Sequence, residues 1–199
     1  WEAFRASPTA FPLAGYVVGA LVALPLLVPG PDPTVALLFV VGVYAATGIN
    51  HVDGVTDLGD ATVVHGGPAA RPDLMTDTLV GTGGVLAVAL VVLGLGTAGA
   101  ALAGLPARAA LVVVTAEVGA KLGMATLVCL GSAPHEGLGS ALTANADARS
   151  LVPAAVVALP AIALTWPRLV PGAAALTAAV LASLAVFAWA RTNLDGVSG

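Results

Sequence analysis

The sequence predicts an all-α fold, a polytopic integral membrane bundle of about six transmembrane helices. Three observations predict it. Hydrophobic residues make up 58% of the chain and charged residues only 9%, where a soluble domain of this size is about a quarter charged. The mean hydropathy is +0.99. The apolar residues fall in runs close to the ~20 positions a helix needs to cross a bilayer. Gly and Ala are abundant within those runs, which favours close helix packing in lipid.

The spans follow in order. Residues 11–29 form a clear apolar run. Residues 34–48 are apolar but short, and lead straight into an acidic stretch. Residues 85–104 qualify, as do 108–131, although the latter contain Glu117 and Lys121. Residues 151–166 are marginal, and 169–190 are clear. Pro25, Pro153 and Pro160 are expected to kink or end their helices, because proline lacks the N–H of an interior helical residue. No internal repeat is visible, so residues 1–199 read as one transmembrane catalytic domain.

Three connections are short, at 30–33, 105–107 and 167–168. Two are long, at 49–84 and 132–150. With six spans, the long loops and both termini share one side. That side carries Arg5, Arg71, Arg149 and Arg191, against Arg108 and Arg168 on the other. The positive-inside rule places the long loops in the cytoplasm of a multi-pass cell-membrane protein. All eleven acids but Asp32 and Glu117 lie on the same side.

The net charge of −4, with six arginines and one lysine, excludes a nucleic-acid binder, which would carry a basic patch. Scarce lysine and acidic loops suit a salt-adapted source. Cys129 is the single cysteine. It has no partner for an internal disulfide or a shared metal site. The first apolar run lacks the flanks of a secretory signal. The chain starts at Trp1 and stops at Gly199 without a terminal signal, and reads as a piece of a longer protein.

The acid concentrates in "INHVDGVTDLGD", residues 49–60. If the second span continues as a helix through Asp60, then Asn50, Asp53, Asp57 and Asp60 share an arc of roughly 80°. Two carboxylates 4 Å apart repel by about 4 kcal/mol at an effective dielectric near 20. A divalent cation relieves that repulsion, and oxygen-only ligands favour magnesium or manganese over zinc. Gly54 leaves room for a ligand against the backbone. His51 lies about 100° from Asn50 around the helix, off the shared face. A solvated acidic helix end without a metal is the other reading, and both stand at this point.

The long loop closes with "DTLVGTGG", residues 77–84. Gly81, Gly83 and Gly84 with Thr82 can bring backbone N–H groups to a phosphate, or form a flexible turn into the next span. Glu117 and Lys121, spaced i, i+4, can pair with each other or face a polar cavity at membrane depth. "PHEGLG", residues 134–139, is a second polar candidate. His65 reads as an ordinary loop histidine.

Taken in order, these stretches resemble the cobalamin synthase family, that is, adenosylcobinamide-GDP ribazoletransferase or cobalamin-5'-phosphate synthase. "FPLAGYVVG" at 11–19 resembles its Phe-Pro-Leu-x-Gly opening. "TGINHVDGVTDLGD" at 47–60 resembles its Thr-Gly-x-x-His-x-Asp-Gly-x-x-Asp-x-x-Asp signature. "MTDTLVGTGG" at 75–84 and "HEGLG" at 135–139 resemble two further segments. The departures are local. The family usually carries an arginine at the place of Leu79 and a histidine or similar residue at that of Gly83. It often has Ser-Arg near Glu117 and Lys121, and it continues beyond residues 195–199.

The resemblance implies a magnesium-dependent transfer. Adenosylcobinamide-GDP would be joined to alpha-ribazole, or its 5'-phosphate, with release of GMP. It implies Asp53, Asp57 and Asp60 as metal ligands, with His51 and Asp77 as catalytic groups. Substrate contacts would come from Asn50, Gly81, Thr82, Lys121, His135 and Glu136. The implied partners are the two substrates and the bilayer, with a homo-oligomer left open. Two other classes remain. One is a CDP-alcohol type phosphotransferase, whose Asp-x-x-Asp-Gly-x-x-Ala-Arg run is absent. The other is a cation transporter, which needs acids at the bilayer midplane, where this chain offers only Glu117.

Overall fold

A computed structural model describes residues 2–63, 79–133 and 136–194. Every regular element among them is helical. A short helix α1 (Glu2–Ala6) precedes α2 (Ala10–Ala23), which passes into a 3-10 turn at Leu24–Leu27. Then come α3 (Asp32–Thr47), α4 (Ile49–Val63) and α5 (Thr82–Leu102). A 3-10 turn at Ala107–Ala110 leads into α6 (Leu111–Leu130). Next are α7 (Leu138–Thr143), α8 (Leu151–Ala158), a 3-10 segment at Leu159–Thr165, and α9 (Leu169–Asn193).

Among the described residues, five helical stretches are long and apolar enough to cross a membrane, and α3 with the bent-off α4 brings the number to six if they count as one span. That bend departs from the expected continuous second helix. The axes of the two helices differ by 96°. The break is at Gly48, whose φ of 80° is a left-handed conformation that glycine adopts without a Cβ penalty. Its N–H still donates to the Tyr44 carbonyl at 2.9 Å, so α3 is closed as the chain turns away.

The prolines act by position. Pro12, Pro33, Pro153 and Pro171 all lie within the first three residues of a helix, where the backbone N–H has no intrahelical partner to lose. Pro153 therefore sits in the first turn of α8, where a kink or an end was expected. Pro25 and Pro160 fall further along, and at both the α-helix changes to 3-10. Pro160 has no N–H for the carbonyls of the preceding turn. The Tyr16 hydroxyl donates to one of them, Val157 O, at 3.0 Å.

The contacts divide the chain into two compact units, residues 1–23 with 108–199, and residues 24–107. In the first, α6 is central. Phe11, Val118, Leu122, Ala125, Ala154, Ala158 and Leu176 form its core. Thr115 is fully buried and donates to the Ala161 carbonyl at 2.8 Å. Small residues set the crossings. A Cβ on Gly19 would lie 2.7 Å from the Val114 Cα, and one on Gly119 would lie 3.0 Å from the Ala179 Cβ. At the loop before α8, Asp147 accepts from the Ser150 hydroxyl and backbone N–H at 2.8 and 2.9 Å. Those bonds, the hydroxyl's first, hold its carboxyl below the ordinary carboxylate range.

In the second unit, α5 packs against α3 and α4. Gly99 meets α3 at Ala36 and Phe39. The crossing with α4 is tighter: a Cβ on Gly59 would lie 2.7 Å from the Gly83 carbonyl oxygen. The outer faces keep Leu86, Leu90 and Leu93 exposed, as lipid-facing side chains are.

Candidate active site

The acidic stretch and the glycine turn belong to the same unit, residues 24–107. All four polar residues of the expected face, Asn50, Asp53, Asp57 and Asp60, fall within α4. The helical spacing that aligns them is thus present, although the helix is not a continuation of α3. Asp53 is exposed, whereas Asp57 and Asp60 are half-buried.

Helical phase separates these acids into two occupations. Taking Asp53 as zero and about 100° per residue, Asp57 falls near +40° and Asp60 near −20°; Thr56, Val63 and Gly59 lie between about −60° and −120°. The second group faces α5: Thr56 and Gly59 are buried, and a Cβ on Gly84 would lie 2.9 Å from the Thr56 carbonyl. Asp60 sits on the border between the acidic stripe and the packing stripe.

Its carboxylate is turned to α5. Asp60 Oδ2 accepts from the Gly81 N–H at 2.7 Å, and Oδ1 from the Gly84 N–H at 2.9 Å. Gly81 is the N-cap of α5 and has no side chain with which to cap it. A capping side chain ordinarily serves the N2 or N3 amide, and a capping box also serves the N-cap's own N–H. Asp60 does both from a neighbouring helix. The negative charge also lies at the positive end of the α5 dipole. The amides of Gly81 and Gly84, which the sequence offered to a phosphate, are therefore already engaged. Gly83 and Gly84 are buried against α4, so the glycines of this turn permit close backbone approach.

Among the described residues, no group of three His, Cys, Asp or Glu side chains is disposed to hold one ion. Asp53 and Asp57 lie on the same stripe, one helical turn apart. Two carboxylates still fit magnesium, which keeps several waters and completes its shell with substrate phosphate oxygens. His51 is exposed in the first turn of α4, about 160° from Asp53 by helical phase, so the helix does not bring it onto the acidic stripe.

Thr82 is the first residue of α5. Lys121 and Glu136 belong to the other unit. Lys121 is partly buried on α6, one turn from Glu117 and close enough to act on it electrostatically. Glu136 is exposed just before α7. Asp77, His135 and the side chain of Asn50 lie outside the described residues. Sequence reasoning missed Thr56, whose hydroxyl donates to the Asp53 carbonyl at 2.6 Å, and Gly59, whose missing side chain lets α5 approach. The only signal for Gly59 was a glycine inside a stretch of helical spacing.

Comparison with known proteins places the chain in a family. The family model described as Cobalamin-5-phosphate synthase matches residues 1–199. A protein from Halorubrum lacusprofundi named adenosylcobinamide-GDP ribazoletransferase is 51% identical, covering 100% of this chain and 81% of its own length. One of the same name from Haloquadratum walsbyi is 42% identical over the same shares. Another, from Pyrobaculum calidifontis, is 34% identical over 92% of this chain and 77% of its own. No solved structure matches. With its membrane-spanning helices and this full-length match, the chain is a multi-pass membrane protein that belongs to the cobalamin-5-phosphate synthase family.

Proposed function

We propose that the chain is an adenosylcobinamide-GDP ribazoletransferase, joining adenosylcobinamide-GDP to alpha-ribazole or its 5'-phosphate with release of GMP. The observation that carries this reading is the full-length match to the family together with relatives of that name at 51% and 42% identity. In the reaction, a ribose hydroxyl attacks the phosphorus that bears the cobinamide. A new P–O bond forms, the bond to GMP breaks, and the hydroxyl proton is lost.

Within this reading, Asp53 and Asp57 would hold magnesium. The metal, when bound, neutralises charge on the diphosphate and on the departing GMP. The acidic stripe on its own would repel a diphosphate, so the two carboxylates bind substrate only as part of that charge balance. Thr82, at the N-terminus of α5, offers a hydroxyl and a first-turn amide to phosphate oxygens. Asp60 holds that N-terminus to α4. The purified protein in detergent should release GMP from adenosylcobinamide-GDP when alpha-ribazole and magnesium are both present, and should stop on chelation. Absence of GMP release under all these conditions would refute the assignment.

The site faces the cytoplasm in this proposal. Its support is the arginine bias and the lengths of the helices on either side of Pro106. Single cysteines at Val80, Pro106 and Ser132, in a Cys129→Ala background, report it through a membrane-impermeant thiol reagent. Val80 and Pro106 flank the span Thr82–Leu102, and Pro106 and Ser132 flank the span Ala107–Leu130. Val80 and Ser132 should label from the cytoplasmic side alone, and Pro106 from outside alone. Labelling of Val80 from outside would reverse the orientation.

A further inference from the structure

We infer that Asp60 is a positioning residue for the transfer reaction: it clamps the N-terminus of α5 to the acidic helix and is not a ligand of the metal. The activity arm of this inference rests on the function proposed above; its structural arm does not.

The geometry carries it. The Asp60 carboxylate spends one oxygen on each of two amides, Gly81 at 2.7 Å and Gly84 at 2.9 Å. These amides belong to the first turn of a helix, where no intrahelical carbonyl can serve them. The N-cap, Gly81, cannot serve them either, having no side chain. The surroundings are built to this bond pair. A Cβ on Gly81 would lie 2.5 Å from Asp60 Oδ1, and one on Gly84 2.8 Å from Oδ2. Glycine at both positions is thus a condition for the carboxylate to reach the backbone. Immediately before Asp60 and Gly84 in the chain, Gly59 and Gly83 bring the two helix backbones into contact, which fixes the distance that Asp60 spans. A carboxylate held in two charge-assisted bonds to a helix N-terminus is a poor choice for a ligand that must also bind and release a metal–phosphate. Asp53 and Asp57 lie farther than Asp60 around α4 from the stripe that packs on α5.

The consequence concerns Thr82. It directly follows Gly81, so any contact it makes with phosphate has its position relative to Asp53 and Asp57 set by the Asp60 bonds. Losing them leaves the metal ligands intact and loosens the turn.

The test uses the full chain in detergent or lipid discs. Asp60→Ala should lower kcat at least tenfold, the scale of a lost charge-assisted bond, while magnesium half-saturation stays within twofold of the parent. In unliganded protein, the Gly84 amide should exchange hydrogen at least tenfold faster. Gly81→Ser in the Asp60→Ala background then supplies a local N-cap. The Gly81 backbone is extended, with φ −89° and ψ −178°, as an N-cap serine prefers, and the space its Cβ needs has been vacated. The double variant should regain Gly84 protection and most of the lost kcat. If Asp60→Ala fails to fold, Asp60→Asn, which keeps one acceptor oxygen, replaces it with the same expectations at smaller size.

Three results overturn the inference. One is a tenfold or greater rise in magnesium half-saturation with rate restored at high magnesium, which makes Asp60 a ligand. Another is unchanged Gly84 exchange or unchanged kcat in Asp60→Ala. The third is a double variant that regains protection without regaining rate. If the parent releases no GMP, the proposed function fails, and the exchange measurements alone decide whether the clamp exists.

Discussion

Asp57→Asn is expected to lower GMP release about a thousandfold while the helices and the unfolding temperature stay close to the parent's. Asp57 is half-buried on the acidic stripe, one turn from the exposed Asp53. The substitution keeps the shape and one oxygen but removes the charge that holds a divalent cation. Losing one electrostatic stabiliser of a charged transition state typically costs 10²–10³ in rate. Here the change removes one of the two carboxylates proposed to hold the metal, so the upper end of that range applies. Stability moves little because the two acids repel in the metal-free protein. Asp53 is exposed, so that repulsion is within about 1 kcal/mol, and the amide keeps the side chain's shape and one acceptor oxygen. The diagnostic is the magnesium titration. Asp57→Asn should raise half-saturation at least tenfold, in contrast to Asp60→Ala. Normal turnover of Asp57→Asn at limiting magnesium would show that α4 carries no metal.

That contrast marks how far the sequence reaches. Composition and apolar runs expose a membrane bundle, and the period of Asn50, Asp53, Asp57 and Asp60 places them on one helix. Both readings use local information. What separates Asp60 from Asp53 and Asp57 is a neighbour 21 to 24 residues away in the chain. The sequence shows the glycines at 81 and 84 and the aspartate at 60, but not that the first are near because the second caps them. The break at Gly48 was hidden for a similar reason. A glycine between an apolar and an acidic helix is compatible with continuation or with a turn, and only the positive φ decides. The prolines were misjudged at Pro153 because a proline is harmless in the first turn, and helix starts are the least certain boundaries in a charge-poor chain. The family resemblance marked Phe11 and Gly15 without a reason. The reason is packing.

Gly15→Ala is expected to destabilise the protein by about 2 kcal/mol or more, the usual scale of an overpacked contact. A Cβ at Gly15 would lie 2.7 Å from the Val118 Cα and 3.0 Å from the Glu117 carbonyl oxygen. Both are backbone atoms of α6, so no side chain can rotate aside. The helix α2 must shift, and the shift opens the packing of Phe11, which is 4% exposed, and of Val118, which is fully buried. In lipid this loss is not offset by a hydrophobic drive, because the tails are as apolar as the helix surface; close van der Waals contact is what holds two spans together. Gly94 on α5 is the control. A Cβ there meets nothing within 4 Å, and alanine favours a helix over glycine by up to about 1 kcal/mol. Thermal unfolding in detergent should therefore separate the pair in opposite directions, Gly15→Ala downward and Gly94→Ala level or upward. Equal unfolding temperatures for the two variants would mean that α2 and α6 do not cross at Gly15. The Phe-Pro-Leu-x-Gly opening would then need a role in binding, since packing would no longer account for it.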